Sequence, residues 1–405
     1  MTTQHNQRRV IGSELIEQAR QRGRIVFEVL PGDIVTSLAT ETAQRLGIKL
    51  VDGPLEKAAY PRTDGKTAMR RGLYRRSARW VAPETPVNRK AHRFSKIAIV
   101  GAGGVGANIA HLAANNDIAS EIALIDIAPG VAESIALDLN HTSGITRSKA
   151  IVTGSSDITQ VGGASVVIVT AGRARSPGMT RADLIDVNKR VIHSVGAVIK
   201  TQAPDAIVIV ITNPLDEMTV EMLNTTGFPR QRVLGMAGTL DSSRFRHSLA
   251  RAAGVTPADV QAIALGSHGD EMVPVRSLAR IKGRALEDLL ADDQIDACVH
   301  DAITGGGQVV ALKKTGSATI APAHASVELL DHIRGARVGP VPVSVMLIGE
   351  FGLSNVVLGV PAQLGISGFI EVAPLRLNNS EVALLHEAAG AIRERLGLPA
   401  GASHS

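Results

Sequence analysis

Gly101-Ala-Gly103-Gly-Val-Gly106 places glycine at the first, third and sixth positions of a turn, and such a turn can cradle phosphates. An apolar run, Ile97 to Val100, leads into it, and a helix-forming run from Ala107 to Ala114 follows. A second apolar run ends on Asp126, about 20 residues past the last glycine. This is the strand, turn, helix and acid of a dinucleotide fingerprint. Gly101 allows the tight turn, Gly103 lets backbone approach a pyrophosphate, and Gly106 lets helix pack close to strand. The helix N-terminus offers unpaired N–H groups and a positive dipole end. A carboxylate at Asp126 accepts from ribose hydroxyls and repels a 2′-phosphate, so NAD is expected over NADP.

His268 carries the second kind of chemistry. It follows an apolar run and sits between small residues in Gly266-Ser-His268-Gly, on a loop from which a side chain can face a cleft. Imidazole titrates near neutrality, so it can take a hydroxyl proton as hydride leaves carbon and return it in the reverse direction. Asp241 is the candidate to fix its tautomer and stabilise imidazolium. Arg244 lies three residues after Asp241, so on a helix the two project to the same side. Taken singly, His268 reads as a surface histidine and Asp241 as a helix-start aspartate. Only the motifs as a set turn both toward catalysis.

These residues need a scaffold. From Lys96 strands and helices alternate, with strand candidates at 97–100, 121–126, 166–170, 207–211, 233–235 and 260–266. That alternation predicts an α/β fold, a Rossmann doubly wound parallel sheet. After His268 the pattern changes to longer helices and short strands, predicting an α+β substrate domain that closes the active site. The expected division is a small N-terminal module over 1–55, a basic linker over 56–95, the dinucleotide-binding domain over 96–240 and the catalytic domain over 241–405. No internal repeat is evident.

In the N-terminal module, Ser13 can cap a helix running through Arg22, Arg24 to Leu30 reads as a strand, and Pro31-Gly32-Asp33 as a turn. A second helix from Thr36 to Leu46 is expected to end in a left-handed cap at Gly47, with a strand over Ile48 to Val51. So small a core is marginal alone. The linker is rich in arginine and is interrupted by Pro61, Pro83 and Pro86. Within it, Thr67 to Trp80 could become an amphipathic helix on a partner; a solvated linker is the plainer reading.

Composition narrows the rest. The chain is 44% hydrophobic and 20% charged, as soluble globular proteins are. Aromatics make up only 2%, which argues against stacking surfaces for single-stranded nucleic acid. One cysteine, Cys298, excludes an internal disulfide and an all-Cys metal site, fits a reducing, cytoplasmic compartment, and reads as a small buried hydrophobe. No apolar run reaches membrane-spanning length, and the first residues lack a signal-peptide core. The net charge of +5 hides an asymmetry: residues 1–95 hold 18 Lys and Arg against nine Asp and Glu, and the remainder 25 against 29. No cluster has metal-ligand spacing.

In order, Gly101 to Gly106, Thr170-Ala-Gly-Arg-Ala-Arg-Ser-Pro-Gly-Met-Thr-Arg181, Thr212-Asn-Pro-Leu-Asp216, Gly238-Thr-Leu-Asp-Ser-Ser-Arg-Phe-Arg246 and Leu265-Gly-Ser-His-Gly-Asp270 resemble the lactate/malate dehydrogenase family, most closely its malate enzymes of lactate dehydrogenase type. The resemblance spans about residues 96–396. It implies a homo-oligomeric NAD-dependent enzyme, with His268, Asp241 and Arg181 catalytic. Arg244 would clamp the substrate's C1 carboxylate, Arg181 would polarise the reacting oxygen from a mobile lid, and Asn213 would bond substrate and position the nicotinamide end. Gly101, Gly103, Val105, Gly106, Asp126, Thr170, Ala171, Gly172, Asn188 and Asn213 would contact NAD. Arg175 decides the substrate, because an arginine there pairs with the distal carboxylate of malate or oxaloacetate. Facing the methyl group of pyruvate, its charge would be enclosed without a partner. Lactate or another 2-hydroxy acid is the alternative substrate. Ser267 and Glu271 depart from residues usual beside the histidine. Lys313-Lys-Thr-Gly-Ser-Ala318 is expected to close over the site, where Thr315 and Ser317 either touch ligand or only pack.

Val35 to Ile48 looks like small helical segments fused to bacterial microcompartment enzymes and, more loosely, like the peripheral subunit-binding domains of acyltransferases. Both resemblances imply docking or encapsulation through residues 1–95, with a protein partner or a microcompartment shell. On that reading the chain could be primarily an assembly component.

Overall fold

The computed structural model describes residues 9–21, 26–52, 91–173, 181–314 and 316–398, in two units that divide after Gly72. The expected linker, with its Thr67 to Trp80 stretch, lies almost wholly outside the described residues, as does Arg175.

The N-terminal unit runs β1 (Val10–Ile11), α1 (Ser13–Gln21), β2 (Val26–Val29), β3 (Ile34–Val35), α2 (Ser37–Leu46) and β4 (Lys49–Asp52). Thr36 caps α2 by accepting from the Ala39 N–H at 3.1 Å, and Gly47 closes it at φ 66°. β1 pairs parallel with β3, and β2 with β4. Each half is therefore strand, helix, strand, a repetition of element order that residue identity does not announce and that the sequence reading missed. Its core is small: Ile11, Ile16, Ala19, Ala39, Ala43 and Ile48.

In the second unit, β5 (Phe94–Val100), α3 (Gly104–Asn115), β6 (Ala119–Ile125), α4 (Val131–Thr146), β7 (Ile151–Ser155), β8 (Val166–Val169), α5 (Arg181–Gln202), β9 (Ile207–Val210), α6 (Leu215–Thr226) and β10 (Val233–Gly235) alternate. Their strands pair parallel in the order β10-β9-β8-β5-β6-β7. Successive strand residues serve opposite faces: Ile97, Ile99, Ile168 and Ile209 join one core, and Ala98, Val100, Val167, Val169 and Val208 another. Helices on both faces bury what would otherwise be two wet apolar surfaces, which explains the unbroken apolar strands.

The sheet continues past β10. After α7 (Gly238–Ala253), β11 (Val260–Gln261), β12 (Ala264–Gly266), β13 (Met272–Pro274), β14 (Arg280–Ile281) and β15 (Arg284–Ala285) come α8 (Asp292–Lys313), α9 (Ile320–Ile333), β16 (Val341–Ile348), β17 (Ser354–Gly365), β18 (Gly368–Val372) and α10 (Asn379–Arg395). β16 pairs antiparallel with β10, and β17, β12 and β13 extend the same sheet to eleven strands with β18 alongside β17. The expectation of short strands after His268 is thus corrected: β17 has 12 residues and β16 eight. The segment 260–266 is two strands in two different sheets, and β7 is a strand the sequence reading omitted.

Candidate functional site

Strands β5, β8 and β9 end side by side, and the loops that leave them carry Gly101, Thr170 and Thr212. Ligands of open α/β sheets bind outside such carboxyl ends. Gly101 adopts φ 104°, and a Cβ there would lie 2.5 Å from Thr170 Oγ1. A Cβ on Gly106 would sit 1.8 Å from the Gly101 carbonyl oxygen. Both glycines are therefore required by packing. A Cβ on Gly103 meets nothing within 4 Å, so this position opens outward at the N-terminus of α3, which no side chain caps. That open glycine beside unpaired N–H groups suits a pyrophosphate. Asp126 immediately follows β6: its Oδ2 accepts from the Ala102 N–H at 2.7 Å and its Oδ1 from the Ala128 N–H at 3.0 Å. The carboxylate is fixed beside the glycine turn.

Behind the turn, Thr170 Oγ1 donates to the Gly101 carbonyl at 2.9 Å, and Thr212 Oγ1 to the Ala171 carbonyl at 2.7 Å. Gly172 packs where a Cβ would be 2.5 Å from Thr212 Cγ2. Val105 is half-buried against the core. Asn188 lies behind the same loops. It is 1% exposed, its Oδ1 accepts from the Arg173 N–H at 2.7 Å, and its Nδ2 donates to the carbonyls of Arg173 (3.1 Å) and Asn213 (2.6 Å). Its amide thus ties together the two site loops that carry Arg173 and Asn213. Asn213 itself is exposed, before a cis peptide bond to Pro214.

His268 follows β12. Its Nδ1 lies 2.8 Å from Oδ2 of Asp241 in the first turn of α7, and Arg244 Nη1 donates to the other oxygen, Oδ1, at 3.1 Å. Asp241 is nearly inaccessible, at 2%. Burial alone would lower the His268 pKa, but the charge and hydrogen bond of Asp241 outweigh it, and the imidazole titrates above its ordinary value. With Nδ1 committed to the carboxylate, Nε2 is the nitrogen left to exchange protons, and it has no hydrogen-bond partner among the described residues. Arg244 lies against α8 at Gly305, where a Cβ would be 3.3 Å from Arg244 Cδ. Glycine inside a helix costs roughly 1 kcal/mol relative to alanine, and here it makes room for the arginine.

Asp216 is not among the residues expected at the site. It is 1% exposed, accepts from the His268 backbone N–H at 2.8 Å and from Ser344 Oγ at 2.8 Å, and has its pKa pushed up to about 6 by burial and then by neighbouring Glu217. The available signal was two adjacent acids, Asp216 and Glu217, opening a helix that is buried almost all round. Of the expected lid, Arg181 begins α5 and its side chain, like Arg175 and Thr315, is outside the described residues. Lys313 Nζ donates to the Ser317 carbonyl at 3.1 Å, and Thr319 packs on the glycine turn, 2.6 Å from where a Gly104 Cβ would be. The segment after α8 thus reaches the dinucleotide loop. Among the described residues no His, Cys, Asp or Glu group is arranged to hold a metal ion, and no helix is long and apolar enough to cross a membrane.

Residues 95–235 match the family described as lactate/malate dehydrogenase, NAD binding domain, and residues 238–397 match lactate/malate dehydrogenase, alpha/beta C-terminal domain. Malate dehydrogenase 1 of Anaeromyxobacter dehalogenans is 42% identical over 301 residues, covering 74% of this chain and 96% of that protein. Among solved structures, the malate dehydrogenase of Cryptosporidium parvum superposes with TM-score 0.73 at 38% identity, over 76% of this chain and 98% of that one. The lactate dehydrogenase of the same organism, solved with lactic acid and nicotinamide adenine dinucleotide, gives TM-score 0.72 at 35% identity, over 75% of this chain and 97% of that one.

Proposed function

This chain belongs to the lactate/malate dehydrogenase family, and we propose that it is the malate dehydrogenase among that family's activities, interconverting malate and oxaloacetate with NAD. The observation that carries the chemistry is Asp241, whose two oxygens bond His268 and Arg244. It couples a proton carrier to a carboxylate clamp at one point.

NAD, when bound, supplies the hydride acceptor. Gly101, Gly103 and Gly106 with the start of α3 would hold its phosphates, and Asp126 its ribose. Arg244 offers a planar fork to the C1 carboxylate of the substrate. Held there, the substrate hydroxyl meets Nε2 of His268, which takes its proton while Asp241 stabilises the resulting imidazolium. In reduction the imidazolium returns that proton to the developing alkoxide. Arg181 is proposed to polarise that oxygen, and Arg175 to pair with the distal carboxylate. The four-carbon diacid is supported by those residue types and by the name of the Anaeromyxobacter relative.

The test is steady-state turnover of NADH with oxaloacetate and with pyruvate. Oxaloacetate should have the larger kcat/KM by at least about 10³-fold, as expected when a site built for a charged group meets a substrate lacking it; a larger value for pyruvate would overturn the substrate assignment. NADPH should bind more weakly than NADH because of Asp126. We further propose that the enzyme is a cytoplasmic homo-oligomer and that residues 1–95 dock it to a protein partner or a microcompartment shell, supported by the separate N-terminal unit. If a chain starting at Phe94 keeps both partners and oligomeric state, the docking role fails.

A further inference from the structure

The loop that bears His268 is held from behind by one guanidinium more than a hundred positions away in sequence. Arg395, the last residue of α10, bonds through Nε to Glu217 Oε1 at 2.5 Å and through Nη1 to Glu271 Oε1 at 2.8 Å, while Nη2 donates to Ser267 Oγ at 3.3 Å. Ser267 immediately precedes His268, and Glu271 follows it by three residues. The two ends of the catalytic loop are therefore bound to the same fork. Glu217, the third partner, adjoins Asp216, whose carboxylate takes the His268 backbone N–H.

We propose that Arg395 is a positioning residue for catalysis, setting the place of His268 against Asp241 from the C-terminal helix. This rests on His268 being the acid–base group. Stability alone does not account for the cluster. The Arg395 side chain is 15% exposed and that of Glu217 3%, and charges so deeply buried recover little more than their desolvation cost, so apolar residues of similar volume would stabilise at least as well. What the cluster provides is direction. A guanidinium is a rigid planar donor set that can bind three acceptors in fixed relation, which a flexible ammonium cannot.

The anchorage behind it is rigid. Asn378 caps α10 by accepting from the Glu381 N–H at 2.8 Å, and Glu381 takes the N–H and hydroxyl of Ser277 at 3.0 and 2.7 Å. Leu385, Ala388, Ala389 and Ile392 are buried beneath it, and Arg393 donates to the Ser354 carbonyl at 2.7 Å. Glu271 depends on Arg395: its Oε2 is buried without a hydrogen-bond partner among the described residues. Without the arginine, Glu217 and Glu271 would each lose their cation and the loop would lose both ties.

The test compares the full chain with Arg395→Met and Arg395→Lys, measuring kcat with oxaloacetate, the NADH dissociation constant by fluorescence, and Tm. We expect Arg395→Met to lower kcat about 10- to 100-fold, as misplacement of a catalytic group by about 1 Å can, with NADH affinity kept within about twofold because the glycine turn is untouched. Arg395→Lys should recover part of kcat, since an ammonium can serve one carboxylate but not the fork. Ser267→Ala and Glu271→Ala remove one tie each, and each should lower kcat severalfold in a folded protein. Arg395→Met with parental kcat, or with kcat and NADH affinity falling together, would overturn the inference while the parent's own turnover leaves the functional reading intact. Should Arg395→Met fail to fold, unchanged kcat in both Ser267→Ala and Glu271→Ala would overturn it equally.

Discussion

His268 Nδ1 stands 2.8 Å from Asp241 Oδ2, and this contact fixes both which nitrogen faces the cleft and how readily it holds a proton. An imidazole this buried would by itself prefer to be neutral. The adjacent carboxylate reverses that preference. The histidine therefore carries its proton to higher pH than an ordinary one, which suits donation to oxaloacetate near neutrality.

Replacing Asp241 with Asn keeps the shape and removes the charge. We expect kcat to fall about 10³-fold or more, in line with loss of the orienting carboxylate elsewhere. The KM for oxaloacetate should also rise, because the partner that holds Arg244 loses its charge. The pH profile should move as well. Oxidation of malate needs neutral imidazole, so its rate in the parent falls as pH drops through the raised pKa; in Asp241→Asn burial prevails and that limb shifts to lower pH. An unchanged limb in the variant's pH–rate profile would remove Asp241 from this role.

Asp216 allows an opposite stability test. Its folded-state pKa, about 6, lies above that of an ordinary aspartate. Ionising it in place carries a cost that is absent below the unfolded pKa and fully present above about 6, where it amounts to roughly 3 kcal/mol. An Asn can still accept from the His268 N–H and donate to Ser344 Oγ. Asp216→Asn should therefore gain stability relative to the parent as pH rises from about 4 to about 7, read by urea unfolding at each pH. A difference that stays flat across that range would contradict the burial argument.

The three glycines of the turn should separate binding from folding. Gly103→Ala adds a methyl into open space, so Tm should be unchanged while NADH affinity drops about tenfold or more through collision with the phosphates. Gly106→Ala pushes a methyl into the Gly101 carbonyl at 1.8 Å, and overpacking of that kind costs roughly 1–3 kcal/mol or more. Calorimetry and NADH titration on the same two variants would distinguish them, and equal losses of Tm would count against the open cradle.

What the sequence made visible was local. The glycine spacing, Asp126 at a strand end and the Asp241–Arg244 helical pair each lie within a few residues of their structural cause. The long hairpin of β16 and β17 was hidden because Pro342 faces Pro361 across it, and proline inside an apolar run argues against an interior strand. β7 was hidden by its Gly154, whose Cβ would meet Ala132 backbone at 2.4 Å. There glycine marks helix packed on strand, not a turn. Asp216, Glu217 and Arg395 escaped notice because their meaning lies in partners such as Ser344 and Glu271, more than a hundred residues away along the chain.

The most direct measurement is His268→Asn, assayed for oxaloacetate reduction beside NADH binding. We expect turnover to fall at least about 10³-fold, the upper part of the range for loss of a general acid–base, with NADH affinity unchanged because the glycine turn and Asp126 are separate from the histidine loop. Turnover retained within a few-fold of the parent, with NADH still bound, would contradict the assignment of His268 as the proton carrier.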